Sequence, residues 1–212
     1  MMRLPDDHGE YQLIKKYIAA SKGHLSDDFI QNIYALERRG EAERISKWKH
    51  LKNRTLLWHG SSVHNFMGIL SQGLRIAPKE SGGSVERGVF FADMFSVSEG
   101  YCQDGHGYKL LLLCEVALGE IYETKKTEWD VEEISDPYKS VKALGQKGPK
   151  LSKKIVLPNG CTVPIGPVIN YYEGTNEEQP VLHNSEYIVY DVSQIRIRYL
   201  VQVNNTFDYS HV

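Results

Sequence analysis

The 212-residue sequence predicts an α+β domain built on antiparallel sheet. Three observations point there. Short apolar runs bounded by glycine and polar residues outnumber helical stretches. No strand–helix–strand rhythm runs along the chain. No segment repeats another.

The elements follow in order. Residues 10–22 set Tyr11, Ile14 and Ile18 on one helical stripe that stops near Gly23. Residues 28–38 fit a helix and a strand equally poorly, because Phe29, Ile30, Ile33, Tyr34 and Leu36 follow neither period. From Glu41, the spacing of Ile45, Trp48 and Leu51 predicts a short amphipathic helix. Leu56-Leu57-Trp58-His59-Gly60-Ser61 reads as a buried strand ending in polar residues. Asn65 to Gln72 reads as a helix with Gly73 at its C-terminal stop. Leu74 to Ala77 predicts a short strand, and Ser81 to Ser84 a loop.

Gly88 to Asp93 predicts a strand and Phe95 to Cys102 a short helix. Lys109 to Leu118 is the most apolar strand and the expected centre of the sheet. Gly119 marks a bend or bulge before Ile121-Tyr122. Asn159-Gly160 predicts a hairpin turn between Ile155–Leu157 and Thr162-Val163. Ile195, Ile197, Tyr199, Val201 and Val203 alternate with Arg196, Arg198 and Gln202, which predicts a half-buried strand.

Composition bounds function. The chain is 41% hydrophobic and 25% charged, with net charge -2, as for a soluble globular protein. That balance gives no global reason to expect nucleic-acid binding. Cys102, Cys114 and Cys161 fit neither a disulfide framework nor a zinc site, so an intracellular reducing compartment is expected. No apolar run reaches membrane-spanning length, and the N-terminus is not a signal peptide. Residues 128–136 carry five acids, and residues 139–154 six lysines and no acid. Such runs are usually solvated loops; the functional alternative is a basic flap near a phosphorylated ligand.

Five residues carry the candidate chemistry. His59 ends one apolar strand, and Glu186 heads another, so the two can meet at a sheet edge. Gly60 has no Cβ to obstruct a ligand near the main chain. Ser98 and Tyr101 stand three apart, on one helix face. A hydroxyl beside a ring could hold a flat amide, with Phe90-Phe91 supplying a second ring. Each residue alone also has a bland reading: a structural histidine, a core tyrosine, a surface serine.

Longer motifs bind them together. Leu56-Leu-Trp-His-Gly-Ser, Asn65-Phe-Met-Gly-Ile-Leu-Ser-Gln-Gly-Leu-Arg-Ile-Ala-Pro, Gly88-Val-Phe-Phe-Ala-Asp-Met and Ser98-Glu-Gly-Tyr-Cys resemble the catalytic domain of poly(ADP-ribose) polymerases. So do Ser140-Val-Lys-Ala-Leu-Gly, Val163-Pro-Ile-Gly and Glu186-Tyr-Ile-Val-Tyr. The spacing matches the DNA-damage-responsive branch best, over roughly residues 10–203. The resemblance implies the ADP-ribosyltransferase fold, two facing and mainly antiparallel sheets with flanking helices. It also implies that residues 28–38 are a strand, and that residues 1–212 form one catalytic domain without the family's helical regulatory subdomain.

By position, the resemblance implies NAD as substrate and no metal. The Gly60 main chain and Ser98 would bond the nicotinamide carboxamide, and Tyr101 would stack on the ring. His59 and Ser61 would bond the adenine-side ribose, with Asn65 and Arg75 lining the groove. Glu186 would bond the nicotinamide ribose. Phe90 stands where the family's His-Tyr-Glu triad has tyrosine, and Val97 where it has lysine. The loop at 78–87 is shorter than in the family. The implied activity is ADP-ribose transfer to an acceptor protein or to the chain itself. A monomer is expected, independent of DNA and membrane, with a nuclear location implied by the family alone. An NAD-binding module without turnover, and an NAD glycohydrolase, stay open as alternatives.

Overall fold

Leu110 to Leu118 offers water a polar group only at Glu115, so both faces of this stretch must be covered. In the computed structural model, which describes residues 1–76, 88–102, 107–125 and 134–205, it occupies the middle of a seven-stranded sheet. The elements before it are β1 (Met2–Arg3), α1 (Gly9–Lys22), β2 (Ile30–Ala35), α2 (Glu41–Ser46), β3 (Arg54–Gly60), α3 (Phe66–Gln72), β4 (Val89–Phe91) and α4 (Phe95–Gly100). Then come β5 (Tyr108–Ala117), β6 (Glu120–Thr124), β7 (Tyr138–Ala143), β8 (Gly145–Pro149) and β9 (Ile155–Val156). The chain continues through β10 (Thr162–Val163), β11 (Val168–Asn170), β12 (Leu182–Asn184), β13 (Glu186–Val189) and β14 (Ile195–Asn204).

The large sheet runs β1-β2-β14-β5-β3-β10-β9. Its strands present alternate residues to two different layers. Leu111 and Leu113 of β5 pack with Ile14, Tyr17 and Ile18 of α1 and Phe95 of α4. Leu112, Cys114 and Val116 pack with Val89 and Phe91 of β4 and Tyr187 and Val189 of β13. The order of layers is therefore helices, large sheet, second sheet. Glu115 faces the helix side and is buried, where Arg54 and Arg198 pair with it at 2.6 and 3.2 Å. A buried carboxylate held by two guanidiniums is compensated; one left alone would not be.

The α+β architecture, the central β5, helix α1, the bend at Gly119 and the β2 strand over residues 30–35 match the expectations above. Several finer points differ. The second layer is two ladders, β4-β13-β7-β6 and β11-β8-β12. The break falls where β7 passes into β8 and β12 into β13. There a Cβ on Gly145 would lie 2.1 Å from the Asn184 carbonyl carbon, so the strands pack too closely for a continuous ladder. Three pairs are parallel: β3 with β10, β6 with β7, and β8 with β12.

β14 departs from simple alternation. Its register shifts between Ile197 and Tyr199. Ile195 and Ile197 therefore face the second sheet, while Tyr199, Val201 and Val203 face the helices. One extra residue flips every side chain beyond it. Leu74 to Ile76 pair with no strand; Leu74 and Ile76 pack on the core from a loop. The helix from Glu41 ends at Ser46, and turns carry Trp48 and Leu51. The hairpin closes through Pro158-Asn159-Gly160, with Leu157 N–H to Cys161 O at 2.8 Å and Gly160 at φ 81°. The lysine-rich stretch is mostly strand: Lys142 lies buried in β7, while Lys150, Lys153 and Lys154 are exposed. The loops at 78–87 and 81–84, and four of the acids before Asp136, lie outside the described residues.

Glu115→Ala should leave both arginines facing a buried gap and lower unfolding free energy by about 3–5 kcal/mol. Urea denaturation of parent and variant checks this; a change below about 1 kcal/mol would mean that the cluster is solvated.

Candidate active site

β3 and β4 belong to different sheets, yet they meet. Trp58 N–H donates to Ala92 O at 2.8 Å, and Ala92 N–H returns a bond to Trp58 O at 2.9 Å. This one bridge sets the end of β3 beside β4. His59 then faces the second sheet, its ring 5.7 Å from that of Phe91. Its Nδ1 lies 2.8 Å from the Phe90 carbonyl oxygen. A carbonyl only accepts, so Nδ1 carries the proton and Nε2 is left as an acceptor. Desolvation pushes the imidazole below the usual histidine range, and the Phe90 bond partly opposes this. His59 is therefore neutral at pH 7. The Phe90 main chain holds it, so the ring at position 90 needs no hydroxyl for this task.

Gly60 follows. A Cβ there would lie 1.8 Å from the Ser98 carbonyl oxygen and 3.2 Å from Cys102 Sγ. The close approach that requires glycine is thus to helix α4 of the chain itself. The expectation of ligand access alone was incomplete. This contact brings the strand end and the helix together. Ser98 is buried, and Tyr101, just past the helix, is 59% exposed. The bland readings of these two, a surface serine and a core tyrosine, are both reversed.

Glu186 begins β13, in register with Ala143. The Tyr101 hydroxyl donates to its Oε1 at 2.8 Å. A ring and a carboxylate from residues far apart in the chain thus share one place. Ser61 and Asn65 are joined by a 3.0 Å bond from Asn65 Nδ2 to Ser61 Oγ. Arg75 is exposed beyond α3, and no contact among the described residues links it to the others. His59, Gly60, Phe90, Ser98, Tyr101 and Glu186 come together; Ser61 and Asn65 adjoin them through β3.

Two features escaped sequence reasoning. The Tyr101–Glu186 bond spans 85 positions, and no local pattern announces it. Asp93, within the quoted Gly88–Met94 motif, is 2% exposed and accepts a 3.0 Å bond from the Tyr187 hydroxyl. A lone carboxylate after an apolar strand was the available signal. Among the described residues, no group of three or more His, Cys, Asp or Glu side chains could hold a metal ion.

The model of the poly(ADP-ribose) polymerase catalytic domain matches residues 8–205. The chain belongs to the poly(ADP-ribose) polymerase family. It is 40% identical over 212 residues to poly [ADP-ribose] polymerase 2 of Zea mays, covering 96% of this chain and 32% of that protein. It is 40% identical over 209 residues to poly [ADP-ribose] polymerase 1 of Danio rerio, covering 95% of this chain and 20% of that one. The chain thus spans a third or less of the length of these relatives. Within the matched residues, the β3 end, the β4–α4 turn and the head of β13 come together.

Benzamide is a flat ring with a carboxamide, and its binding to the parent should raise the melting temperature. Gly60→Ala should force α4 away from β3, abolish that rise and cost about 1–3 kcal/mol of stability from overpacking. Thermal unfolding with and without benzamide checks it; an undiminished shift would separate Gly60 from the ring pocket.

Proposed function

We propose that the chain cleaves NAD at the nicotinamide–ribose bond and transfers ADP-ribose to an acceptor protein or to itself. The observation that supports this best is the Tyr101–Glu186 bond. It sets a ring able to stack on nicotinamide beside a carboxylate able to serve the attached ribose. Ser98 and the Gly60 main chain hold the carboxamide, and Tyr101 stacks on the ring. His59 and Ser61 take the adenine-side ribose. Asn65, Arg75 and the Phe90 ring line the rest of the groove.

The chemistry follows from charge. As the glycosidic C–N bond breaks, nicotinamide leaves with the electron pair and the ribose gains oxocarbenium character. A fixed carboxylate opposes that positive charge more strongly in the transition state than in bound NAD. Glu186 also accepts from the ribose 2′-hydroxyl. Stacking and the carboxamide bonds hold the leaving group in line, so an acceptor oxygen attacks the opposite face of C1′ and gives up any proton it carries. Tyr101 O–H orients the Glu186 carboxylate, a task the family's lysine would share at position 97. With valine there, attachment of the first unit proceeds and polymer extension is the weaker step. Three free, buried cysteines fit a reducing compartment. The reading further holds that turnover by this chain needs no DNA, and that it acts as a monomer.

Labelled NAD tests the proposal. Free ADP-ribose, singly modified protein and polymer are separated and counted. Protein labelling is expected, whereas free ADP-ribose alone would make the chain a glycohydrolase, and no product a binding module. Glu186→Gln should keep the benzamide shift and lower transfer by about a hundredfold or more. Tyr101→Phe keeps the ring and loses one charge-assisted bond, so transfer should fall by roughly tenfold. Parent-like transfer in Glu186→Gln would sink the mechanism.

A further inference from the structure

Asp93 is a buried titratable group that the proposed chemistry leaves unused. Its Oδ2 accepts from the Tyr187 hydroxyl at 3.0 Å. Its Oδ1 is buried and has no hydrogen-bond partner among the described residues. Its main-chain oxygen accepts at 3.2 Å from Tyr17 O–H, which also donates to Leu56 O at 3.0 Å. These contacts join the three elements that carry the site. Leu56 lies on β3 ahead of His59. Asp93 lies in the turn from β4 into α4, ahead of Ser98 and Tyr101. Tyr187 directly follows Glu186 on β13.

We propose that ionised Asp93 is a positioning residue for the transfer reaction: through Tyr187 it fixes Glu186 against the α4 pocket, and its protonation loosens that register. The inference rests on the reading of this groove as an NAD-cleaving site. A charge-assisted hydrogen bond is shorter and stronger than a neutral one. Ionised Asp93 therefore holds the Tyr187 hydroxyl firmly, and a neutral carboxyl or amide holds it less well. Tyr187 shares a peptide with Glu186, so slack at one moves the other.

The surroundings set the pH at which this occurs. Burial raises the Asp93 carboxyl to about 6, against the pull of the Lys142 cation and the Tyr187 bond. The groups facing Asp93 are Lys142 from β7, Tyr187 from β13, Tyr17 from α1 and Tyr171 from the turn after β11. Burial raises all three tyrosines above their usual range, so they stay neutral. Lys142, 5.3 Å from the centre of the Tyr187 ring, is the compensating cation; it lies 3.9 Å from Glu123. Because the folded value lies above the ordinary 3.8, the stabilising contribution of Asp93 is complete below 3.8 and lost as pH rises through about 6. Activity is gained over the same window. A purely structural carboxylate would move rate and stability in the same direction.

The test is kcat and KM for NAD cleavage from pH 5 to 8, with melting temperatures, in the parent, Asp93→Asn and Tyr187→Phe. The parent should show an acid limb in kcat near pH 6. Asp93→Asn should lack that limb, with kcat roughly five- to tenfold lower above pH 7 and parent-like near pH 5, and KM within about threefold. Tyr187→Phe cuts the bond through which Asp93 acts, so it should likewise lack the limb, with kcat lowered above pH 7 as in Asp93→Asn. The same limb in Asp93→Asn as in the parent overturns the inference. If Asp93→Asn does not fold, Tyr187→Phe decides alone, and an unmoved limb there overturns it. A parent that cleaves no NAD at any pH defeats the transferase reading and this inference with it; a parent that turns over with an unmoved limb in both variants defeats only the inference.

Discussion

Two backbone hydrogen bonds between Trp58 and Ala92 join the large sheet to the second one, and the site depends on them. That bridge sets the end of β3 against the turn into α4, and the Tyr17 hydroxyl ties Leu56 to Asp93 beside it. With it, His59 reaches the Phe90 carbonyl, and Gly60 meets the carbonyl of Ser98. The pairing of β4 with β13, Phe91 opposite Tyr187, then carries the same frame to Glu186. The bridge is itself embedded in packing. The Trp58 ring lies 5.2 Å from both Tyr17 and Phe95, which ties α1 and α4 to the same point. Backbone bonds shielded from water in this way hold their geometry closely.

Charge is treated differently on the two sides of the large sheet. On the helix side, Glu115 is buried with two arginines and Glu99 with Lys22, so each carboxylate is compensated by direct contact. Between the sheets, Asp93 has a tyrosine hydroxyl as its direct partner and a cation further off. The first arrangement sets a full cation directly against each carboxylate. The second leaves a carboxyl that can gain or lose a proton near neutrality. Such incomplete compensation beside a groove is where functional sensitivity is expected. The neutral His59 belongs to the same pattern, since it meets the groove as an oriented acceptor and not as a cation.

Much of this was legible from residues alone. β5 could be read because Leu110 to Leu118 has nowhere to go but inside, and α1 because its apolar stripe is complete. The convergence of His59, Gly60, Ser98, Tyr101 and Glu186 came from long motifs, since no periodicity relates residues so far apart. The flip within β14 left one trace in the sequence, Leu200 at a position where the alternation calls for a polar residue, and a single such residue does not announce a bulge. The run Leu74–Ile76 misled for a related reason: alternate burial against the core needs no partner strand. The reason for Gly60 was half visible. Sequence signals a close approach, and only the fold says that the approaching group is the chain's own helix.

In the proposed function, one site framed by the Trp58–Ala92 bridge holds nicotinamide and its ribose together. The most direct measurement is a crystal structure with benzamide adenine dinucleotide, which replaces the scissile C–N bond of NAD by C–C. The carboxamide is expected between the Gly60 main chain and Ser98, the ring on Tyr101, and the adjoining ribose 2′-hydroxyl at Glu186. Density for the ligand elsewhere, such as the cleft of about 550 Å³ lined by Gln12, Lys15, Lys16 and His24, with this groove empty, would contradict it.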